Sequence, residues 1–150
     1  MSRSVTRVRR ALDAAGLRAD IRELGATRTA GQAAAAVGCD LDQIVKTIVF
    51  RGMESDAALL FLTAGGNRVD AAAAAALAGE PLGRADPAFV RAATGFAIGG
   101  VAPLGHPAPL RGWLDPRLAE FDTVWAAAGT PRHVFAIAPA DLQGVTGAVP

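Results

Sequence analysis

The stretch IVKTIVF at residues 44–50 places one charged side chain within an otherwise apolar, mostly β-branched run. β-branched and aromatic residues favour the pleated, half-buried surface of a sheet, so this run predicts a buried β-strand. Side chains alternate between the two faces of a strand, which puts Lys46 on the same face as Ile44 and Ile48. A charge on such an apolar face is costly unless it is paired or reaches a wet pocket.

Lys46 is the only lysine of the chain, although the chain carries 15 lysine and arginine residues in total. A compact ammonium and a planar guanidinium differ in geometry and hydration, so a single retained lysine indicates a site that an arginine does not fit. Two explanations remain open at this point. Either the ammonium lines a functional pocket, or it reaches solvent along its apolar stem near the end of the strand.

The composition is that of a folded protein. The chain has 150 residues, 51% of them hydrophobic and 19% charged, and we expect residues 1–150 to form a single domain. The net charge of +1 argues against a protein that coats long stretches of duplex nucleic acid. It does not exclude binding of a short nucleic-acid end in a local pocket.

A single cysteine, Cys39, allows no intramolecular disulfide, which favours a cytoplasmic location. The histidines His106 and His133 have no carboxylates at ligand spacing, so we expect no metal site. No apolar run is long enough for a membrane span, and no signal peptide is evident. The sequence shows no cofactor motif either, because its glycine pairs do not match a P-loop.

Apolar periodicity and turn residues predict a mixed, curled sheet or barrel with helices packed around it, an α/β fold of the α+β type. The predicted helices cover residues 3–15, 30–37, 71–78, 87–93 and 140–145, with a short helical turn at 116–120. The predicted strands cover residues 19–24, 44–50, 57–63, 123–127 and 133–138, and a further strand begins at Thr94.

A glycine-rich segment, TGFAIGGVAPLG at residues 94–105, follows the fourth predicted helix. Paired glycines such as Gly99 and Gly100 let the backbone approach a ligand and turn its N–H groups towards it. An ordinary tight turn explains the same pair equally well. His106 comes just after this loop, either to orient water or bind phosphate, or as an exposed turn residue.

Three segments, at residues 44–50, 94–105 and 121–142, resemble the YbaK/EbsC family of aminoacyl-tRNA editing domains, which is related to the insertion domain of bacterial prolyl-tRNA synthetase. The resemblance implies the fold of those domains. It also implies a free-standing deacylase that hydrolyses the ester of a mischarged tRNA, typically a tRNA for proline. The implied partners are the acceptor end of an aminoacyl-tRNA and prolyl-tRNA synthetase.

The resemblance also implies roles for individual residues. Lys46 matches the essential lysine at the aminoacyl-adenosine end, and the backbone amides of the glycine loop would face the reacting carbonyl. The implied catalytic residues are Lys46, Gly99 and Gly100, and the implied substrate-binding residues are Thr47, Val101, Pro103, His106, Gly129 and Thr130. Members of the family have no enzyme nucleophile, so a water, a substrate thiol or a ribose hydroxyl attacks the ester.

This chain departs from members specific for cysteinyl-tRNA, which have a Gly-Gly-Lys run followed by an aspartate. Residues 128–131 read AGTP here, and Val134 stands near the position of the aspartate, so these residues do not support cleavage assisted by a cysteine thiol, and the attacking group stays open. Two other functions remain open: a non-catalytic module that binds an aminoacyl end or a synthetase, and a Schiff-base enzyme that uses Lys46. The sequence leaves the amino acid removed and the oligomeric state open.

Overall fold

The structure, a computed structural model, describes residues 3–25, 27 and 29–146. Its helices are α1 (Arg3–Ala14), α2 (Ala30–Val37), α3 (Ala71–Ala78), α4 (Pro87–Thr94) and α5 (Pro139–Thr146), with short 3-10 helices at Leu41–Gln43 and Pro116–Glu120. Its strands are β1 (Ile21–Glu23), β2 (Ile44–Gly52), β3 (Ala58–Ala64), β4 (Leu82–Arg84), β5 (Arg111–Leu114), β6 (Val124–Ala127) and β7 (His133–Ile137).

Polar side chains begin three of the helices where the sequence predicts them. Asp70 accepts hydrogen bonds from the first-turn amides of α3, and Asp86 accepts one from Phe89 N at the start of α4. Thr29 accepts one from Gln32 N and begins α2 in the same way. Each cap satisfies backbone donors that the helix itself cannot pair.

All seven strands form one mixed sheet in the order β1-β7-β6-β2-β3-β5, with β4 paired to β2. β2 pairs antiparallel with β3 over most of its length, parallel with β6, and antiparallel with β4. β1 and β5 lie at opposite ends of this order within the described residues, so the sheet is open. The predicted mixed sheet is therefore confirmed in its open form, not as a closed barrel.

The largest apolar cluster lies on one face of the sheet, where Val8 and Leu12 from the buried stripe of α1 pack. A second cluster on the other face joins α2 to Trp125, and a third joins α3 to Phe61. Helices on both faces thus bury the sheet, as apolar side chains on both faces of a strand require.

One predicted strand is wrong. Thr94 is the last residue of α4, and the chain from Gly95 to residue 110 runs without regular structure before it enters β5. Gly95 has a φ of 81°, a left-handed conformation that ends α4 and does not suit a strand. β4 and β5 are strands that the sequence pattern did not predict.

Candidate active site

One edge of β2 has a gap, a stretch without a pairing strand. β3 pairs along the other edge from Val45 to Arg51. On the edge with the gap, β6 pairs only with Ile44 and Val45, and β4 pairs only with residues 50–52. Within the described residues, no strand pairs with residues 46–49 on that edge.

Backbone groups of β2 point into this gap. Gly52 N donates to Ala57 O and Gly52 O accepts from Asp56 N, each at 2.9 Å, so Gly52 directs both groups towards the β3 side. The direction alternates along an antiparallel strand. Thr47 and Val49 therefore direct their N–H and C=O groups towards the unpaired edge.

A cavity of about 420 Å³ occupies the gap. This volume lies within the range of about 300–1,000 Å³ that is typical of small-molecule sites. The wall consists of residues 44–48 of β2, the start of α2, Ile98, Gly99 and Val101 of the glycine loop, and residues from the ends of β6 and β7 with the turn between them. The cavity therefore combines Lys46, Thr47, Gly99, Val101 and Thr130 of the predicted set.

Lys46 is half-buried, and its ammonium donates a hydrogen bond to the backbone carbonyl oxygen of Asn67. The lysine forms no salt bridge with any carboxylate among the described residues. Its charge is thus held by a neutral oxygen and remains available to an anionic or carbonyl group of a ligand.

Two aspartates hold the loop that carries this carbonyl. Asp115 accepts hydrogen bonds from Ala64 N, Asn67 Nδ2 and Arg117 N at 2.9–3.1 Å. Burial raises the pKa of Asp115, but these three hydrogen bonds outweigh burial and leave the pKa below its ordinary value. The carboxylate is therefore the stable form at neutral pH, and it fixes the ends of the loop.

Asp42 holds the same loop from the other side. Its Oδ1 accepts from Gly66 N at 2.8 Å, and its Oδ2 pairs with Arg117 Nε at 3.0 Å. The hydrogen bond from Arg117 is the main cause of the lowered pKa of Asp42, the bond from Gly66 adds to it, and the charge of Lys46 contributes further. The ammonium thus lies within electrostatic reach of this carboxylate.

The hydroxyl of Thr47 is buried and has no hydrogen-bond partner among the described residues. A buried hydroxyl without a partner is unusual because it loses its hydration without compensation. Thr47 borders the cavity, but its hydroxyl oxygen is buried, so a ligand would reach the hydroxyl only after the side chain rotates.

The glycine loop packs closely on the turn between β6 and β7. A Cβ atom on Gly100 would lie 2.6 Å from Thr130 Cα, so only a glycine fits there. Gly100 is buried, and its N–H donates to Ala97 O at 3.1 Å. The N–H is thus already bonded within the loop and does not point freely into the cavity.

Gly129, in the same turn between β6 and β7, packs closely against α1. Its φ is 98°, and a Cβ atom there would lie 2.7 Å from the carbonyl oxygen of Ser4 in α1. Gly129 is buried and does not border the cavity, whereas its neighbour Thr130 does. Gly129 therefore brings the turn against α1 and leaves the cavity contact to Thr130.

Pro103 and His106 lie elsewhere. Both border a different cavity of about 290 Å³, formed with β5 and the end of α5. His106 Nε2 lies 2.9 Å from Ala102 O, and burial lowers the pKa of the imidazole. These two residues are thus not brought together with Lys46.

The sequence pattern did not single out His133, which borders the Lys46 cavity. His133 Nδ1 lies 2.6 Å from Thr130 Oγ1, and Nε2 lies 3.8 Å from Glu23 Oε2 on the adjacent strand β1. Arg132 N donates to Thr130 Oγ1 at 3.2 Å. A hydroxyl, an imidazole and a carboxylate thus follow one another at one side of the cavity.

Asn67 was also missed, because it acts through its backbone carbonyl, which has no signature in the sequence.

Cys39 is not a reactive thiol in this setting, since burial and the neighbouring Asp40 raise its pKa. The described residues contain no group of three or more His, Cys, Asp or Glu side chains that could hold a metal ion. None of the described helices is both long and apolar enough to cross a membrane.

Comparison with known proteins identifies relatives of this chain. A family model described as aminoacyl-tRNA editing domain matches residues 25–145. Uncharacterized protein YwhH of Bacillus subtilis (strain 168) is 33% identical over 115 residues, which are 77% of this chain and 73% of that protein.

Solved structures are similar over nearly the whole chain. One is described as "a putative trans-editing enzyme for prolyl tRNA synthetase"; it is 49% identical, has a TM-score of 0.93, and the match covers 99% of this chain and 94% of that one. A scaffold from computational epitope grafting is 45% identical with the same TM-score of 0.93, covering 99% and 95% of the two chains. On this evidence the chain belongs to the aminoacyl-tRNA editing domain family.

Proposed function

We propose that this protein is an aminoacyl-tRNA deacylase that hydrolyses the ester of a mischarged tRNA, with tRNA for proline as the substrate. The observation that carries the proposal is the cavity at the unpaired edge of β2. There Lys46 and the glycine-loop residues Gly99 and Val101 border the same space. Membership of the editing family and the similarity to the structure described as "a putative trans-editing enzyme for prolyl tRNA synthetase" support the same activity.

The cavity offers the groups that an aminoacyl ester requires. The carbonyl oxygen gains negative charge during attack, and the ammonium of Lys46 is a nearby cation that no carboxylate of the described residues neutralises by direct contact. The backbone groups of Thr47 and Val49 on the free edge can pair with the polar atoms of an aminoacyl group, as an added strand would. Rotation of the Thr47 side chain would bring its unpartnered hydroxyl to the substrate as one more polar contact.

The roles proposed for the remaining residues differ in kind. Gly100 and Gly129 allow the close packing that shapes the cavity, and Thr130 contacts the substrate.

We also propose that residues 1–150 act as one editing domain in the cytoplasm, on the acceptor end of aminoacyl-tRNA presented by or released from prolyl-tRNA synthetase. Pro103 and His106 border a different cavity and are not assigned to the reaction.

The test is release of labelled amino acid from tRNA. Purified protein is incubated with tRNA for proline charged with a series of amino acids of increasing side-chain size, and with correctly charged prolyl-tRNA as the control. We expect release of at least one incorrect amino acid while prolyl-tRNA stays charged. Binding of the charged tRNAs without release from any of them would instead support a non-catalytic module.

A further inference from the structure

We propose that Thr130 and His133 form a proton relay for the hydrolysis assigned to this cavity. Thr130 contacts the attacking water, and His133 is a positioning residue that acts through Thr130. The inference rests on the proposed deacylase function and extends it, because it gives the protein's own side chains a part in moving the proton. Both residues border the cavity that Lys46 borders.

The relay requires one tautomer of His133. Nε2 faces the Glu23 carboxylate at 3.8 Å, which is longer than a hydrogen bond, and because that carboxylate can only accept, we place the imidazole proton on Nε2. His133 Nδ1 is then an acceptor, and at 2.6 Å the Thr130 hydroxyl donates to it. In hydrolases an imidazole also takes the proton of a neighbouring hydroxyl, although there the hydroxyl oxygen is the nucleophile, whereas here water attacks.

Thr130 Oγ1 has two lone pairs, one of which is free to accept a proton. One accepts from Arg132 N at 3.2 Å, and the hydroxyl proton is committed to His133, so one acceptor position remains. A water or a ribose hydroxyl in the cavity can donate to that position. Thr130 can then take a proton only if it passes its own proton to the imidazole.

The proposed step neither gains nor loses an atom or a proton. A water oxygen bonds to the ester carbonyl carbon, the water proton passes to Thr130 Oγ1, and the Thr130 proton moves to His133 Nδ1. The bond between the carbonyl carbon and the ribose oxygen then breaks, and the proton returns through the same two atoms to that oxygen. Thr130 and His133 end as they began, and the products are the free amino acid and the uncharged tRNA.

A purely structural role is the competing explanation. His133 N also donates to Thr130 O at 3.4 Å, so the two residues close the turn between β6 and β7. Thr27 Oγ1 holds the same turn through Pro131 O at 3.2 Å. The experiment must therefore separate proton transfer from the placement of the turn.

The test is single-turnover deacylation by Thr130→Val, Thr130→Ser and His133→Asn, with binding of a non-hydrolysable aminoacyl-adenosine amide and thermal unfolding measured in parallel. We expect Thr130→Val and His133→Asn each to slow the chemical step by about 100-fold, the lower end of general acid–base effects. The double variant should be no slower than either single variant. Binding should stay within about twofold, and Thr130→Ser should retain most of the rate because it keeps the hydroxyl.

Three results would overturn the relay: a Thr130→Val rate within about threefold of wild type, a loss that appears wholly in binding or melting temperature, or a Thr130→Ser loss as large as that of Thr130→Val. If Lys46→Ala abolishes release while both relay variants remain active, the relay is wrong and the deacylase function stands. If the wild-type protein releases no amino acid from any mischarged tRNA, the proposed function itself fails.

Discussion

The Nζ atom of Lys46 donates a hydrogen bond to the backbone carbonyl oxygen of Asn67, 21 residues further along the chain. The contact joins β2 to the loop that follows β3. That loop is in turn held by Asp42 through Gly66 and by Asp115 through the Asn67 side chain. The position of the proposed catalytic ammonium therefore depends on two carboxylates that do not touch the substrate cavity.

Asp115→Asn should weaken both the fold and the activity. An asparagine has one acceptor oxygen, so at least one of the donors Ala64 N, Asn67 Nδ2 and Arg117 N would lose its partner. The expected loss in the free energy of unfolding is about 1–3 kcal/mol. Urea unfolding measures it, and the exposed Asp122→Asn variant is the matched control, expected to unfold like the wild type. Equal stability of the two variants would contradict this account of Asp115.

The contribution of Asp115 should depend on pH in a definite direction. Hydrogen bonds hold its folded-state pKa below the ordinary value of 3.8 despite burial. A lowered folded-state pKa gives stability that is fully present above the ordinary value and is lost as the pH falls through the folded-state value. The difference in unfolding free energy between wild type and Asp115→Asn should therefore be constant near neutral pH and shrink below about pH 4. A difference that grows on acidification would contradict it.

Gly129→Ala should destabilise the protein more than Gly79→Ala does. Both glycines have positive φ, 98° and 79°, so both variants carry a backbone cost of about 1–2 kcal/mol. Only the Gly129 variant also places a Cβ atom 2.7 Å from Ser4 O in α1, whereas nothing lies within 4 Å of the corresponding atom at Gly79. Urea unfolding of both variants isolates the contact with α1. Equal losses of unfolding free energy in the two variants would show that α1 shifts to accommodate the Cβ atom at no cost.

Thr47→Val should leave stability unchanged or raise it while lowering deacylation. The Thr47 hydroxyl is buried without a partner in the free protein, so an isosteric methyl removes an uncompensated polar group. The expected stabilisation is up to about 1 kcal/mol by thermal or urea unfolding. If the hydroxyl serves the substrate, the single-turnover rate or the substrate affinity falls. A variant that is both less stable and fully active would refute the assignment.

Much of the fold could be predicted because its signals are local. The caps Asp70 and Asp86 predict the starts of α3 and α4, and the apolar run at residues 44–50 predicts most of β2. β5 was missed because its pairing with β3 is parallel and distant in sequence, and because prolines surround it. Periodicity over four residues cannot reveal a strand whose partner is about fifty residues away.

The site was predicted less completely, for a physical reason. Lys46, Thr47, Gly99, Val101 and Thr130 meet in one cavity, whereas His106 and Pro103 turn into another. Proximity to the glycine loop in sequence does not determine the direction of His106 after the left-handed Gly105. His133 could have been found from its spacing to Thr130, since a hydroxyl and an imidazole three residues apart can meet across a tight turn.

The most direct test is the rate of amino-acid release from mischarged tRNA by wild type, Lys46→Ala and Lys46→Arg in single turnover. We expect both variants to fold, with melting temperatures close to wild type, because Lys46 is only half-buried and forms a single hydrogen bond to Asn67. The rate should fall at least about 100-fold in both, since loss of one group that stabilises developing charge costs that much and a guanidinium does not replace a compact ammonium. Wild-type rates in both folded variants would contradict the assignment of the Lys46 cavity as the site of hydrolysis.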